Sequence, residues 1–345
     1  MSKKKVCIVL GNGFTIDFLN FYSKSEEHIW EDINPCNLFA HGSDLKWPRN
    51  NQPGFLSLKN TPNLWGLGAR PYLNAEQTME IIELVVTSAN VYSMKNINSI
   101  GEEQTYLLAY KELVSYLKYL FVHYNNQISV IPDNIVEWEW AKLLTKLNND
   151  DTIGEVTIIT YNYDIWLERI LDKINIDFTV PPMINGLDGT KFKIFKPHGS
   201  ISFKHETDRE MSSFEINYSD LKSDFPAMDI KVKYNDLWTN NMAIFLIPPA
   251  GDSNRGNDNL NNCVRGLYEK KLSYYDKNDL FIICGISYWH VDRTEIDALL
   301  IGPKNETNII NINPSVNKQF ESVINSLFKN YIHFNSSKTL KDLVL

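Results

Sequence analysis

Five short polar signatures in this chain each follow an apolar run: Gly11-Asn12-Gly13, Tyr161-Asn162-Tyr163-Asp164, Pro197-His198-Gly199-Ser200, Gly285-Ile286-Ser287 and Asn313-Pro314. They supply a carboxamide, a carboxylate, an imidazole and a hydroxyl among glycines, the group types that orient a polar substrate, hold a water and accept a proton. His198 is the best framed of the seven histidines. A stiff proline precedes it and a permissive glycine follows, and an imidazole that titrates near neutrality can act as a general base. Asn162 has no evident duty in a strand or cap, whereas Asp164 suits either chemistry or the N-cap of a following helix.

The first glycine turn opens a helix, so its backbone amides can meet an anion such as a diphosphate. A plain tight turn would use the same two glycines, and Ile16 stands where a Gly-x-Gly-x-x-Gly fingerprint needs its third. Gly285 would let a backbone approach a ligand closely, with Asp292 expected to cap the next helix. Asn313 could reach a ribose or base edge, and an Asn-Pro turn is equally compatible. The Gly-x-x-x-x-Gly-Lys-Ser/Thr phosphate loop, the Gly-x-Ser-x-Gly nucleophile turn and His-Glu-x-x-His are all absent. Cys7, Cys36, Cys263 and Cys284 are too scattered for the paired ligands of a structural zinc site, so no metal is expected.

Positioning such residues on one edge requires an open parallel sheet, in which ligands bind beyond the carboxyl ends of the strands. Near-continuous apolar runs predict strands at Val6–Leu10, Val156–Tyr161, Phe192–Phe195, Ala243–Ile247, Leu280–Cys284 and Asn308–Ile312, covered on both faces. Helices are predicted at Phe14–Leu19, Ile165–Ile174, Asn259–Tyr274, Asp292–Leu300 and Val316–Phe328. The expectation is a Rossmann-like, doubly wound, mainly parallel α/β domain made of residues 1–20 and 153–345. Residues 21–152 form an inserted, mainly helical subdomain with helices near Glu102–Tyr124 and Ile135–Leu147. A second excursion, 205–241, carries few periodic cues.

The chain has 345 residues and a net charge of −8, enough for a full core and a poor match to a nucleic-acid surface. Lys191, Lys193, Lys196 and Lys204 alternate as on the solvent face of a strand more than as a phosphate track. Cys7 and Cys284 lie in apolar runs as buried reduced thiols, which suits a cytoplasmic protein. The Lys3-Lys4-Lys5 start leads into a first strand and not an export signal. No run approaches the ~20 apolar residues that cross a bilayer, and no membrane association is expected.

In order, Gly11-Asn12-Gly13, Thr160-Tyr161-Asn162-Tyr163-Asp164, Pro197-His198-Gly199, Gly285-Ile286-Ser287 and Ile312-Asn313 resemble the motif series of sirtuins, specifically the sirtuin-like domains of bacterial anti-phage defence systems. Abortive-infection proteins of the AbiH type also look similar, through the Gly-Asn-Gly-Phe, Asn-Tyr and His-Gly elements. The resemblance implies NAD+ as substrate and scission of the nicotinamide–ribose bond. The Gly11-Asn12-Gly13 turn would face the diphosphate, Phe14 and Asp17 would also bind the cofactor, and Gly285, Ser287 and Asn313 would line the adenosine end. Asn162 would orient the ribose or a water, Asp164 would hold the carboxamide, and His198 would be the base. It further implies an NAD+ glycohydrolase that serves as an abortive-infection effector, self-associates and is triggered by another chain, such as a HerA-type ATPase or another defence-system sensor. The alternatives are a non-catalytic NAD-sensing assembly subunit and an NAD-dependent protein deacylase. The missing cysteine pairs, and Gly-Asn-Gly-Phe-Thr in place of Gly-Ala-Gly-x-Ser, weigh against the deacylase.

Overall fold

A computed structural model describes residues 3–94, 104–181, 189–205, 214–216, 218, 230–238, 244–248, 259–288 and 293–343. It divides into two compact units, Met1–Glu27 with Ser129–Pro197 and Asn261–Leu345, and His28–Ile128 with His198–Leu260. These boundaries differ from those expected. The helix Glu139–Asn149 groups with the sheet, because Trp140, Leu143, Leu144 and Leu147 are buried there. Residues 198–260, expected with the sheet, group with the helical unit.

The first unit is a seven-stranded sheet of β1 (Lys4–Leu10), β2 (Ile153–Thr160), β3 (Phe178–Thr179), β4 (Phe192–Phe195), β5 (Leu280–Cys284), β6 (Asn308–Ile312) and β7 (Asn330–Phe334). The spatial order is β7-β6-β5-β1-β2-β4-β3, and every pair is parallel. Helices flank it, which makes a doubly wound, Rossmann-like α/β architecture. The chain leaves β1 toward β2 on one side and returns to β5 on the other, so the strand order reverses between β1 and β5. In such sheets the crevice forms at that reversal.

The sheet core follows from burial on both faces. Val6 through Leu10 and Val156, Ile158 and Ile159 are buried, as are the thiols Cys7 and Cys284, whose pKa values burial pushes up. The helix Asn12–Tyr22 turns Phe14, Thr15, Phe18, Leu19 and Tyr22 inward at helical spacing. Its Phe14 and Phe18 rings pack on Trp138 at 5.3 and 5.7 Å, and Phe18 also meets Trp166 at 5.8 Å. Each such ring contributes about 1.5–3 kcal/mol by leaving water.

One predicted strand is corrected. Among the described residues, 244–248 join no parallel ladder, and Leu246 makes a single antiparallel bridge to Gly199 in the second unit. An apolar run alone does not separate a buried strand from an extended segment under a loop. β7, whose pattern is mixed and half-exposed, takes the edge position instead. Asp292 lies outside the described residues, as does most of 205–241.

The second unit is built on the helices Ala75–Met94 and Thr105–Gln127. The first was not anticipated, although Thr78, Ile82, Val85, Val86 and Ala89 carry a buried stripe at helical spacing. Apolar Leu84 and Val91, exposed on the same helix, obscure that period. The second is buried almost all round from Leu113 to Val122 and supports an aromatic cluster of Trp47, Phe55, Tyr116, Tyr119 and Phe214. Glu112, on the same helix, accepts from the amides of Asn63 and Leu64 and so caps the short helix Pro62–Gly66. Burial raises its pKa even against those bonds.

Candidate active site

At the carboxyl edge of the first unit, side-chain and backbone bonds join each strand-end loop to the next. Tyr161 N donates to Leu10 O at 3.0 Å, and Asn162 Nδ2 donates to Gly11 O at 3.0 Å. Gly11 N donates to Cys284 O at 3.0 Å and Gly13 N to Gly285 O at 3.2 Å. Gly285 N reaches Ile312 O at 3.0 Å, and Asn313 Nδ2 reaches Ile286 O at 3.0 Å. Four of the five signatures expected to converge do share this edge: those after β1, β2, β5 and β6.

The glycines are required by backbone contact. A Cβ on Gly13 would lie 2.4 Å from Gly285 Cα, and one on Gly11 would lie 2.6 Å from Gly285 O. Gly285 itself has φ +62, a conformation that favours glycine. The close approach that sequence reading reserved for a ligand is therefore, at these atoms, an approach of one loop to another. The Gly13 and Phe14 amides, expected to face an anion, donate to Gly285 O and Gly11 O. Phe14's side chain belongs to the core, at 2% exposure. Asp17 accepts from Trp138 Nε1 at 3.2 Å, and burial raises its pKa against hydrogen bonds from Ser337 and Trp138. Asn12 and Ser287 are exposed, and Asn313 is half-buried.

Asn162 is held on two sides. Its Nδ2 gives one hydrogen to Gly11 O and one to Thr15 Oγ1, both at 3.0 Å. Because a backbone carbonyl only accepts, this contact fixes which end of the carboxamide is nitrogen. Among the described residues no donor reaches Oδ1, on a side chain that is half-buried at the sheet edge.

Thr15 passes the constraint on, donating from Oγ1 to Asp164 Oδ2 at 2.9 Å. Asp164 Oδ1 accepts from Trp166 N, the first amide of the helix Trp166–Lys173, at 3.1 Å, but the N-cap position falls on Ile165, one residue after the cap expected at Asp164. Lys196, expected on a solvent face, is 1% exposed and donates to Asp164 O at 2.6 Å and Glu168 Oε1 at 2.8 Å. Lys204 is buried as well. Strand alternation fails as a guide at Lys196 because that residue lies one position beyond the end of β4, whereas Lys204 is the middle residue of the short strand Phe203–His205. Desolvation pushes the Asp164 and Glu168 carboxyls up, with the Lys196 charge pulling them back only in part. Glu168 Oε2 has no hydrogen-bond partner among the described residues. Thr15, Glu168 and Lys196 are the participants that motif reading missed. The spacing Asp164-x-x-x-Glu168, one helical turn, was the available signal for Glu168.

His198 belongs to the second unit. It is 2% exposed, and its carbonyl accepts from Ile247 N at 3.0 Å. Gly199 has φ +81, and a Cβ there would stand 1.7 Å from Phe245 O, so the turn after the imidazole admits only glycine.

A cavity of about 450 Å³ lies at the opposite edge of the sheet, among Lys4, Lys5, Asp279, Asn308, Asn330 and Ile332, and none of the motif residues lines it. Among the described residues, no group of three or more His, Cys, Asp or Glu side chains could hold a metal, and no helix is long and apolar enough to cross a membrane. The sequence matches no protein-family model and no curated protein.

Proposed function

We propose that this chain is a sirtuin-like NAD+ glycohydrolase, converting NAD+ and water to ADP-ribose, nicotinamide and a proton. The observation that carries the reading is the fixed Asn162 carboxamide. Both of its hydrogens are engaged by Gly11 O and Thr15 Oγ1, which fixes Oδ1 as an acceptor with no donor among the described residues, at the carboxyl edge beside the strand-order reversal. An acceptor so placed can orient a ribose hydroxyl or the attacking water.

In the reaction the bond from ribose C1′ to the nicotinamide nitrogen breaks. Its electron pair leaves with the ring, which becomes neutral. The water oxygen bonds to C1′, and its proton passes to a base, assigned to His198 by the motif resemblance. Asp164 serves by holding Thr15 and the turn. The roles in anti-phage defence, self-association and control by a HerA-type ATPase or another sensor chain rest on the same resemblance.

Incubation of the purified chain with NAD+ tests the reading. Nicotinamide release that disappears in Asn162→Ala and His198→Ala supports it. Tight NAD+ binding without release would instead support a non-catalytic sensor, a reading favoured by the mutual packing of the Gly13 and Gly285 loops, which explains those glycines without turnover. Absence of both binding and release would overturn the two together.

A further inference from the structure

We propose that Lys196 is a positioning residue that sets the turn carrying Asn162 and Asp164. β2 ends at Thr160 and the next helix begins at Trp166, so residues 161–165 lie between two regular hydrogen-bond patterns. The Asp164 carbonyl in that gap receives the Lys196 ammonium at 2.6 Å, and Glu168 Oε1 anchors the same ammonium at 2.8 Å.

The arrangement is an expensive way to build a core. Lys196, Asp164 and Glu168 are 1, 4 and 2% exposed, the ammonium pairs with Glu168 while the Asp164 carboxylate is held by Thr15 and Trp166 N, and Glu168 Oε2 has no hydrogen-bond partner among the described residues. Buried ion pairs can often be replaced by apolar residues with no loss of stability, so stability alone does not account for this one. What it provides is a fixed point. From the Lys196 ammonium the contacts run through Asp164 to Thr15 Oγ1, on to Asn162 Nδ2 and from there to Gly11 O. The direction of Asn162 Oδ1 is thus set from the end of β4 through a chain of buried groups. The inference rests on the proposed reaction only for its kinetic consequence.

The experiment compares the full chain with Lys196→Met/Glu168→Leu, which removes the buried pair together, and with Lys196→Gln/Glu168→Gln, a neutral pair too short to keep the Asp164 carbonyl bond. Backbone hydrogen exchange is read in residues 161–166 and, as the internal reference, in β1. The expected result in whichever double variant folds is exchange at least about 10-fold faster in the turn with β1 unchanged. Turn protection equal to that of the unsubstituted chain overturns the proposal. So does failure of both double variants to fold, since the pair is then a requirement of the core. Where the unsubstituted chain releases nicotinamide, kcat should fall about 10-fold or more with KM within about 2-fold, the pattern of lost orientation. A chain that releases none refutes the reaction and leaves the exchange result to decide the positioning role.

Discussion

Gly13 and Gly285 meet backbone to backbone: a Cβ added to Gly285 would lie 2.3 Å from Gly13 Cα, and the Gly13 amide donates to the Gly285 carbonyl at 3.2 Å. Two loops that end β1 and β5, about 270 residues apart in sequence, are closed on each other at the strand-order reversal. Gly285→Ala should therefore cost about 2–4 kcal/mol, from the positive φ and from displaced backbone. Gly266→Ala is the contrast, since it lies within the helix Asn259–Leu272 with nothing within 4 Å of an added Cβ. It should stabilise by about 0.5–1 kcal/mol. Denaturant midpoints of the two variants check both signs.

Asn162→Asp preserves shape and replaces the donor that faces Gly11 O with an acceptor. Two oxygens 3.0 Å apart without a proton between them repel. The expected loss is about 1–3 kcal/mol of stability. Nicotinamide release should fall by at least about 100-fold, and Asn162→Ala should lose the release with a smaller stability penalty. Equal stability of Asp and Asn at this position in urea titrations would contradict the assigned orientation of the carboxamide.

Lys196→Met alone leaves Asp164 and Glu168 buried without their cation, and should destabilise by about 3–5 kcal/mol. Adding Glu168→Leu should recover most of that loss, because the remaining carboxyl, Asp164, keeps its bonds from Thr15 and Trp166 N. A double-mutant cycle on the melting curves reads the coupling.

Burial raises the pKa values of Asp164 and Glu168, with Lys196 opposing the shift. A carboxyl that binds its proton more tightly when folded stabilises the fold fully below the ordinary carboxylate range near ~4. That contribution fades as pH rises through the raised folded value. Stability of the unsubstituted chain should thus improve on mild acidification relative to Glu168→Gln, which cannot take up this proton. Parallel pH dependences of the two proteins in urea melts would rule out the linkage.

Gly199→Ala places a methyl 1.7 Å from Phe245 O at φ +81. The turn after His198 and its bridge to Leu246 cannot both survive, so the second unit should lose about 2–4 kcal/mol. Proteolysis within residues 198–248 should accelerate accordingly, and unchanged cleavage would refute it.

The sequence alone determined the sheet's main strands, the helices between them and the placement of polar signatures after β1, β2, β5 and β6. Apolar runs bounded by glycine and asparagine are local patterns, and they act through burial and turn geometry within a few residues. Asn162 stands out in the sequence as a residue that neither strand nor cap needs, and Gly285 as a glycine directly after a strand, where close backbone approach is possible.

Only the tertiary structure decided what those residues touch. Nothing near Gly13 announces Gly285, nothing near Asn162 announces Gly11 and Thr15, and the strand alternation around Lys196 pointed to solvent instead of a buried carboxylate. The apolar run at 243–247 read as another parallel strand, and its described residues pair instead with a glycine turn. Partner choice across 100 to 300 residues depends on which strands become neighbours, and that is set by the collective burial of the core and the chain reversal at β1, not by any segment's own pattern.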